Sequence, residues 1–476
     1  MPSTAFRRAC IAFAACIPAL AGCGGGGANS LLSSSSVGSG NPGPPPNGSV
    51  GLGIGPSKIK HVVFLIQENR SFDYIFGNVD QNGDPFPGAD TVSNPNPGEP
   101  TPHNHLGQPV QMTTGKLEEC YVPGHSSPNA VTDIAKGKMD GFDKEQSQKL
   151  ACAPAGPVPT DYVYRYAEQS EVAPYWQIGE QYAISDRMFE ATTSASFASH
   201  LYFVAAQSSR AIDNPSNSPW GCDAPPGTVE LTYNEKTGGE AGHSFPCYAM
   251  PTLADEMDLH GVSWAYYGMS ILDFGYNWIS YDAIRQIRYG NDWNTNVIQS
   301  SSQILTDVQN GKLSSMTWVT PSLANSDHPL SASNLGPSWI ATVVDTIGQS
   351  QFWDTTAIFV VWDDWGGWYD HVPPPKQGPV GYGIRLPFIV VSPYVKNGYV
   401  SHVVHSPGSM VRFVEEIFGL PSLGMLDAKS DDLGDMFNFT QTPTVFTPFQ
   451  TAHTFDEVKR SGSEPRPLPA GAEPDD

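Results

Sequence analysis

Oxygen-bearing side chains directly follow two apolar runs of the chain. Glu68 and Asn69 stand at the end of the first run, and Asp363 and Asp364 stand at the end of the second. Ligands of open α/β sheets bind beyond the carboxyl ends of strands, so we expect the two groups to converge there. Carboxylate and amide oxygens suit a divalent metal ion, and the nearby His371 widens the choice to transition ions or zinc. Adjacent Asp residues alone are also typical of a turn or a helix cap, but the two groups together favour a metal site.

A stretch of small residues, Thr192–His200, supplies a candidate nucleophile. It precedes a helical pattern, and the backbone N–H groups and the dipole at a helix start favour a phosphate dianion. Ser196 lies at this start, where an adjacent metal ion would lower the pKa of its hydroxyl and hold it in line with phosphorus. The alternative is that the Ser and Thr residues only cap the helix, and Ser194 is the next candidate nucleophile. No Gly-x-Ser-x-Gly elbow surrounds Ser196, which argues against a serine esterase triad.

Apolar runs rich in β-branched residues predict the strands that position these groups. Continuous apolar strands alternating with amphipathic helices indicate a parallel sheet covered on both faces. The segments 78–160 and 209–250, rich in Pro, Gly and Asn, are predicted to be long insertions. The predicted strands are His61–Ile66, Met316–Val319, Thr356–Trp362 and Leu386–Val391, and the predicted helices are Phe197–Gln207, Trp339–Ile347 and Met410–Phe418.

Several motifs resemble those of the bacterial phosphoesterase family of phospholipases C and acid phosphatases. The opening segment, Ile59–Gly77, is the longest of them, and the resemblance spans about residues 58–424. It ends in Ser406–Leu420, which is similar to the final core helix of that family. The other matching segments are Gly137–Phe142, Ser326–Pro329, Trp362–Asp364 and Asp370–Pro375.

This resemblance implies a fold and a set of residue roles. The fold is a three-layer α/β/α sandwich of the alkaline phosphatase type, and the activity is hydrolysis of phosphate esters through a serine phospho-enzyme with a divalent metal cation. His125 and His328 would contact phosphate oxygens or protonate the leaving group, and His200 and His371 match positions near the site. The implied metal ligands are Glu68, Asn69, Ser196, Asp363 and Asp364, with Ser196 also the nucleophile.

The residues around the nucleophile are closer to the acid phosphatase branch of this family. Phospholipases C of the family present a Thr in a Gly-Pro-Thr context, whereas Ser196 is flanked by Ala195 and Phe197, with His200 farther on. We therefore expect a phosphomonoesterase. The alternatives are a phospholipase C acting on phospholipid head groups and a non-catalytic surface lipoprotein of the same fold.

The first residues predict export with a lipid anchor. Arg7 and Arg8 precede an apolar stretch, Ile11–Leu20, which is too short to span a bilayer and leads into a lipoprotein-type box ending at Cys23. Residues 1–22 are therefore a predicted signal peptide. A lipidated Cys23 would hold the protein at the outer membrane, facing the periplasm or the outside, and a freely secreted enzyme is the alternative.

Two low-complexity segments flank the predicted catalytic domain, residues 58–454. Residues 24–57 contain no charged side chain, and 24 of these 34 residues are Gly, Ser or Pro. Such a segment buries too little apolar surface to offset its ordering entropy, so residues 23–57 are predicted to be a lipidated Cys followed by a flexible tether. The Pro-rich, acidic residues 455–476 are predicted to be a disordered tail.

The net charge restricts the partners of the protein. The chain has 25 Lys and Arg against 48 Asp and Glu, and this net charge of −23 argues against nucleic acid as a partner. The predicted partners are a phosphate ester substrate and, through Cys23, a membrane.

The even number of cysteines beyond Cys23 suggests two disulfides in an exported protein, and the simplest of three pairings is Cys120–Cys152 with Cys222–Cys247.

Overall fold

The computed structural model describes residues 49–159, 161–376 and 380–468, all within the unit Pro45–Asp476. The predicted signal peptide, Cys23 and most of the predicted tether lie outside the described residues. The strands are β1 (His61–Gln67), β2 (Thr113–Gly115), β3 (Tyr121–Pro123), β4 (Ser147–Lys149), β5 (Arg165–Ala167), β6 (Ala183–Ser185), β7 (Ala211–Ile212), β8 (Glu230–Tyr233), β9 (Glu240–Ser244), β10 (Trp264–Tyr267), β11 (Val297–Ile298), β12 (Met316–Val319), β13 (Thr356–Trp362), β14 (Phe388–Val391) and β15 (Tyr399–Ser401). The α-helices are α1 (Gly55–Lys58), α2 (Phe72–Phe76), α3 (Ser127–Ile134), α4 (Ala173–Gln181), α5 (Ser196–Ala205), α6 (Leu253–His260), α7 (Arg285–Arg288), α8 (Asp292–Thr295), α9 (Gln303–Gln309), α10 (Gly336–Gly348), α11 (Pro407–Phe418) and α12 (Phe455–Ser461).

Eight strands form the central sheet, in the order β11-β10-β12-β1-β13-β14-β6-β15. Strand β1 lies between β12 and β13 and is parallel to both, and β10 and β11 continue the parallel half. Strand β15 is parallel to β6. The predicted α/β class is therefore confirmed.

One strand corrects the prediction of a parallel sheet. Strand β14 runs antiparallel to both of its neighbours, β13 and β6. A parallel return requires a crossover connection, usually a helix. The described part of the connection 363–387 contains no α-helix, so the chain turns back and pairs antiparallel.

Helices cover both faces of the sheet, because successive strand residues point to opposite sides. Phe359 and Trp362 lie three residues apart in β13 and therefore on opposite faces. Phe359 packs edge-on against Phe413 of α11, and Trp362 packs edge-on against Tyr175 of α4. Helix α11 contacts α1 and α5, whereas α4 contacts α10, which in turn contacts α9 and α12. The result is the predicted three-layer arrangement.

The long apolar patterns predicted their elements well, and the short elements were missed. Strands β12 and β13 have the predicted bounds, and helix α5 begins one residue before the predicted start. Strands β6, β11 and β15 are two or three residues long. Segments of this length are too short to show a period in the sequence.

The C-terminal segment corrects the prediction of a disordered tail over residues 455–476. Helix α12 forms because Thr454 and Glu457 make a capping box at its start. Val458 is fully buried, and its backbone oxygen accepts a hydrogen bond of 3.0 Å from Asn325 Nδ2. The segment is therefore ordered by packing over its described part, which ends at residue 468.

The last residues of the predicted tether also pack onto the domain. Leu52 is buried, and Gly51 N donates to Asp432 Oδ2 at 2.7 Å. The folded unit thus includes residues before residue 58.

Both predicted disulfides are present. Cys120 pairs with Cys152 and Cys222 pairs with Cys247, so each long insertion contains one cross-link. Among the described helices, none has the length and apolar character needed to span a bilayer.

We expect Val458→Ala to lower the free energy of unfolding by about 2 kcal/mol, because it removes two buried carbon atoms and leaves a cavity under α12. Urea unfolding measures this change. Arg460→Ala, on the exposed side of the same helix, is the matched control and should change stability by less than about 0.5 kcal/mol. Equal stability of the Val458→Ala variant and the wild type would show that α12 contributes no packing.

Candidate active site

The predicted oxygen ligands lie side by side because β1 and β13 are in register. Gln67 pairs with Trp362 at the carboxyl ends of the two strands, so the residues that follow leave the sheet together. Asp363 N donates to Gln67 O at 2.9 Å, and Asn69 N donates to Asp363 Oδ1 at 2.9 Å. The structure thus brings together the two groups that lie almost 300 residues apart in sequence.

Asn69 takes a backbone conformation that the site requires. Its φ of 58° lies in the left-handed region, which Asn tolerates better than most residues. Gly366 lies against it, and a Cβ at Gly366 would come within 2.3 Å of Asn69 O. The glycine after the Asp pair therefore permits the close approach of the two loops.

Helix α5 presents two side chains to this cluster. Ser196 is the first residue of the helix, and its Oγ donates to Asp364 Oδ2 at 3.1 Å. His200 follows four residues later on the same face, with Nε2 3.1 Å from Glu68 Oε1 and 3.6 Å from Asp363 Oδ2. The helix N-terminus thus faces the carboxylates, with the candidate nucleophile at its tip.

The cluster has the composition of a cation site. Glu68, Asp363 and Asp364 are all fully buried, and ligand atoms of Glu68, His200 and Asp363 lie within 4.8 Å of one another. Asp363 Oδ2 and Asn69 Oδ1 are buried and have no hydrogen-bond partner among the described residues. Buried carboxylates at this density require a compensating positive charge, so the residues present fit a divalent metal ion.

His200 does not supply that charge. Burial lowers the pKa of His200 to about 4, although the charge of Asp363 acts in the opposite direction. The imidazole is therefore neutral near pH 7, and the negative charge of the carboxylates is left for a metal ion to balance.

His125 contacts the site through Asn69, whereas the described contacts of His328 include Trp278 and Leu330. His125 Nε2 is 2.9 Å from Asn69 Nδ2, and its Nδ1 is 2.9 Å from Pro123 O. His328 is stacked on Trp278, and its Nδ1 accepts a hydrogen bond from Leu330 N. Their roles toward phosphate oxygens or the leaving group stay predictions.

His371 belongs to a separate buried cluster. Its Nδ1 is 2.6 Å from Asp73 Oδ2 and its Nε2 is 3.0 Å from Asp90 Oδ1. Arg385 completes this ion network through contacts with Asp73 and Asp370. Because carboxylates engage both ring nitrogens, the contacts of His371 favour a structural role over the predicted catalytic one.

Three residues at the nucleophile have no signal in the sequence. Asn214 Oδ1 accepts a hydrogen bond of 2.8 Å from Phe197 N and so caps the start of α5. Asp213 N donates to Ser194 Oγ at 2.8 Å. Both come from the insertion 209–250, and only the folded chain brings them to the nucleophile. Glu190 is the third, with Oε1 2.9 Å from Ser199 Oγ and 3.2 Å from Ser194 N.

Glu190 is a buried acid beside the site. Burial raises the pKa of Glu190 well above its usual range, and the charge of the nearby Asp364 raises the pKa further. The side chain therefore takes up a proton more readily than a free carboxyl group does. It connects the loop before the nucleophile to the first turn of α5.

A hydroxyl at a helix start, facing buried carboxylates at the carboxyl edge of an α/β sheet, fits the site of a hydrolase that uses a metal ion. The Phosphoesterase family model matches residues 59–421. The chain therefore belongs to the Phosphoesterase family and is a hydrolase acting on phosphoester bonds. This match confirms the resemblance seen in the sequence and supports an enzyme over the non-catalytic alternative.

Similar proteins are known in several bacteria. The chain is 24% identical over 451 residues to phospholipase C B of Mycobacterium tuberculosis, with 83% of this chain and 82% of that protein covered. It is 23% identical over 431 residues to the non-hemolytic phospholipase C of Pseudomonas aeruginosa, covering 80% of this chain and 57% of that protein. Among solved structures, it is similar to a protein in the alkaline phosphatase superfamily from Vibrio parahaemolyticus, with a TM-score of 0.37, 10% identity and coverage of 79% of this chain and 70% of that one.

The His371 network predicts a loss of stability at alkaline pH. Burial lowers the pKa of His371, but the charge and hydrogen bond of Asp73 outweigh this effect and raise the pKa to about 9. Because the folded-state pKa exceeds the unfolded value of about 6.5, the stabilisation is fully present below pH 6.5 and is lost as pH rises through about 9. We expect a loss of about 3 kcal/mol across this range, measured by urea unfolding at several pH values.

Two variants isolate the contribution of this residue. His371→Gln should be less stable at pH 6 and should show a much smaller decrease between pH 6.5 and 9. His260→Gln removes a partly exposed imidazole and should keep the full decrease. A wild type whose stability stays constant over this range would contradict the prediction.

Proposed function

We propose that the chain hydrolyses phosphate monoesters, with Ser196 as the nucleophile and a divalent metal ion held by Glu68, Asn69, Asp363 and Asp364. The hydrogen bond of 3.1 Å from Ser196 Oγ to Asp364 Oδ2 carries this proposal. It directs the hydroxyl proton to a carboxylate, and it holds the oxygen at the N-terminus of α5, where a phosphate is favoured.

Each side chain has a separate role in the proposed reaction. A bound metal ion would supply positive charge that neutralises phosphate oxygens and lowers the pKa of the Ser196 hydroxyl. Ser196 Oγ, on losing its proton, forms a bond to phosphorus while the bond from phosphorus to the ester oxygen breaks. His125 or His328 would protonate the departing ester oxygen, as the family resemblance implies. Water then attacks phosphorus, breaks the bond to Ser196 Oγ and releases phosphate.

A phospholipase C activity is the second candidate. The curated relatives described above are phospholipases C by name, which supports a phospholipid diester as the substrate. The flanks of Ser196 support a monoester instead. A phosphate-release assay on monoesters, run beside a head-group release assay on phosphatidylcholine vesicles, distinguishes the two. Higher kcat/KM for phosphatidylcholine would replace the monoester proposal.

We expect Ser196→Ala to reduce phosphoester hydrolysis by at least about a thousandfold, because it removes the nucleophile. The variant should keep the wild-type melting temperature and metal content, since four other oxygen ligands are retained. Phosphate release under saturating substrate measures the effect, and mass spectrometry of the rapidly quenched wild type should find phosphate on Ser196.

Ser194→Ala is the matched control. It removes a hydroxyl two residues away that accepts a hydrogen bond from Asp213 N and leaves Ser196 in place. We expect it to keep most of the activity. If Ser194→Ala is inactive and Ser196→Ala is active, the nucleophile is Ser194.

We also propose that the mature protein is attached to the outer membrane through lipidated Cys23. Two or more acyl chains bind a bilayer stably, so the protein should fractionate with membranes. We expect Cys23→Ser to release the enzyme or block its processing while kcat of the purified protein is unchanged. Mass spectrometry of the mature N-terminus checks this, and an unmodified N-terminus at a later residue in a soluble product would contradict it.

A further inference from the structure

We propose that His200 is itself a metal ligand, through Nε2, and that it makes the site selective for zinc or a transition ion. This inference rests on the proposed function only in that the same cluster of carboxylates holds the ion. It adds a nitrogen donor to the oxygen ligands that the proposed function names.

The distances around His200 are those of atoms that share one ion. Nε2 lies 3.1 Å from Glu68 Oε1 and 3.6 Å from Asp363 Oδ2. Two ligand atoms that are each about 2.1 Å from a metal ion are about 3.0–3.5 Å apart in octahedral or tetrahedral geometry. The distance from His200 Nε2 to Glu68 Oε1 lies in this range and the distance to Asp363 Oδ2 is about 0.1 Å longer, so Nε2 stands close to a ligand position relative to both carboxylates.

Electrostatics selects the tautomer that such a ligand needs. In the alternative arrangement, Nε2 would carry a proton and donate it to Glu68 and Asp363. A cation held by Glu68 Oε1 and Asp363 Oδ2 would lie next to that N–H and repel it. The lone pair of a neutral imidazole, in contrast, is attracted to the ion, so binding favours the proton on Nδ1.

The helix fixes His200 in this position. Ser196 and His200 are four residues apart on α5, so their side chains emerge from one face on successive turns. Ser196 contacts Asp364, and His200 contacts Asp363. The backbone of α5 is held at His200 by a hydrogen bond of 2.9 Å from Ser280 Oγ to His200 O. One rigid element thus offers the cluster an oxygen and a nitrogen.

A nitrogen donor changes which ion the site prefers. Magnesium and calcium take oxygen ligands, whereas imidazole suits zinc, iron and the other first-row transition ions. Three carboxylates and one imidazole would also accept Mn²⁺, which serves as a spectroscopic probe.

Pulsed EPR of the full chain loaded with Mn²⁺ tests the proposal directly. The wild type should show the electron spin-echo modulation of a directly bound ¹⁴N, and labelling histidine with ¹⁵N should change it. His200→Gln should lose this modulation. His260→Gln, whose imidazole is partly exposed on α6, should retain it.

Calorimetric titrations give the second measurement. We expect His200→Gln to weaken Zn²⁺ binding at least about tenfold, since even residues that only orient a ligand contribute this much. The affinity for Mg²⁺ should change less than that for Zn²⁺.

The possible results distinguish a failure of the His200 proposal from a failure of the proposed phosphoesterase function. Mn²⁺ that binds at one equivalent without ¹⁴N modulation, in an active wild type, would refute His200 as a ligand and leave the phosphoesterase proposal intact. Failure of any divalent ion to bind would refute both. If His200→Gln does not fold, a wild type without ¹⁴N modulation still refutes the proposal.

Discussion

Several carboxylates buried at one edge of the sheet set the requirement that the surrounding structure meets. Glu68, Asp363 and Asp364 have no exposed surface, and an uncompensated buried charge is very costly. Their positions follow from the register of β1 and β13, which ends both strands at the same level. The left-handed Asn69 and the close approach of Gly366 then fix the loops. A cation bound between the carboxylates would compensate their charge and account for this arrangement.

A second buried cluster shows how the protein neutralises acids without a metal ion. Asp73, Asp90 and Asp370 surround His371 and Arg385, and the pKa of His371 is raised to about 9. That cluster therefore carries its own cations. At the active site the neighbouring imidazole, His200, has a lowered pKa and stays neutral. This contrast favours a structural role for the His371 cluster and supports the proposed metal site at the other.

The sequence predicted the parts of the fold that have long periodic patterns. Strand β13 and helix α11 were identified because seven to twelve residues share one pattern. The convergence of Glu68 and Asp363 was also predictable, since both follow strands. The antiparallel β14 was not, because strand direction depends on a connection without a regular pattern. Helix α12 was missed although the spacing of Thr454 and Glu457 is a local signal for a helix start, and its packing on Asn325, more than a hundred residues away, has no such signal.

The proposed site is built from two parts of the molecule, the buried edge of the sheet with α5 and the two long insertions. The ligand and nucleophile positions are set by strand ends and by α5, which are buried and rigid. His125, Asp213 and Asn214 instead come from the two long insertions, each of which is cross-linked by a disulfide. Asn214 caps the very helix that carries Ser196, so an insertion touches the nucleophile directly. Loops held by a rigid scaffold vary more freely than the scaffold itself. Under the proposed function, we therefore expect these insertions, rather than the sheet edge, to set the preference between a monoester and a phospholipid.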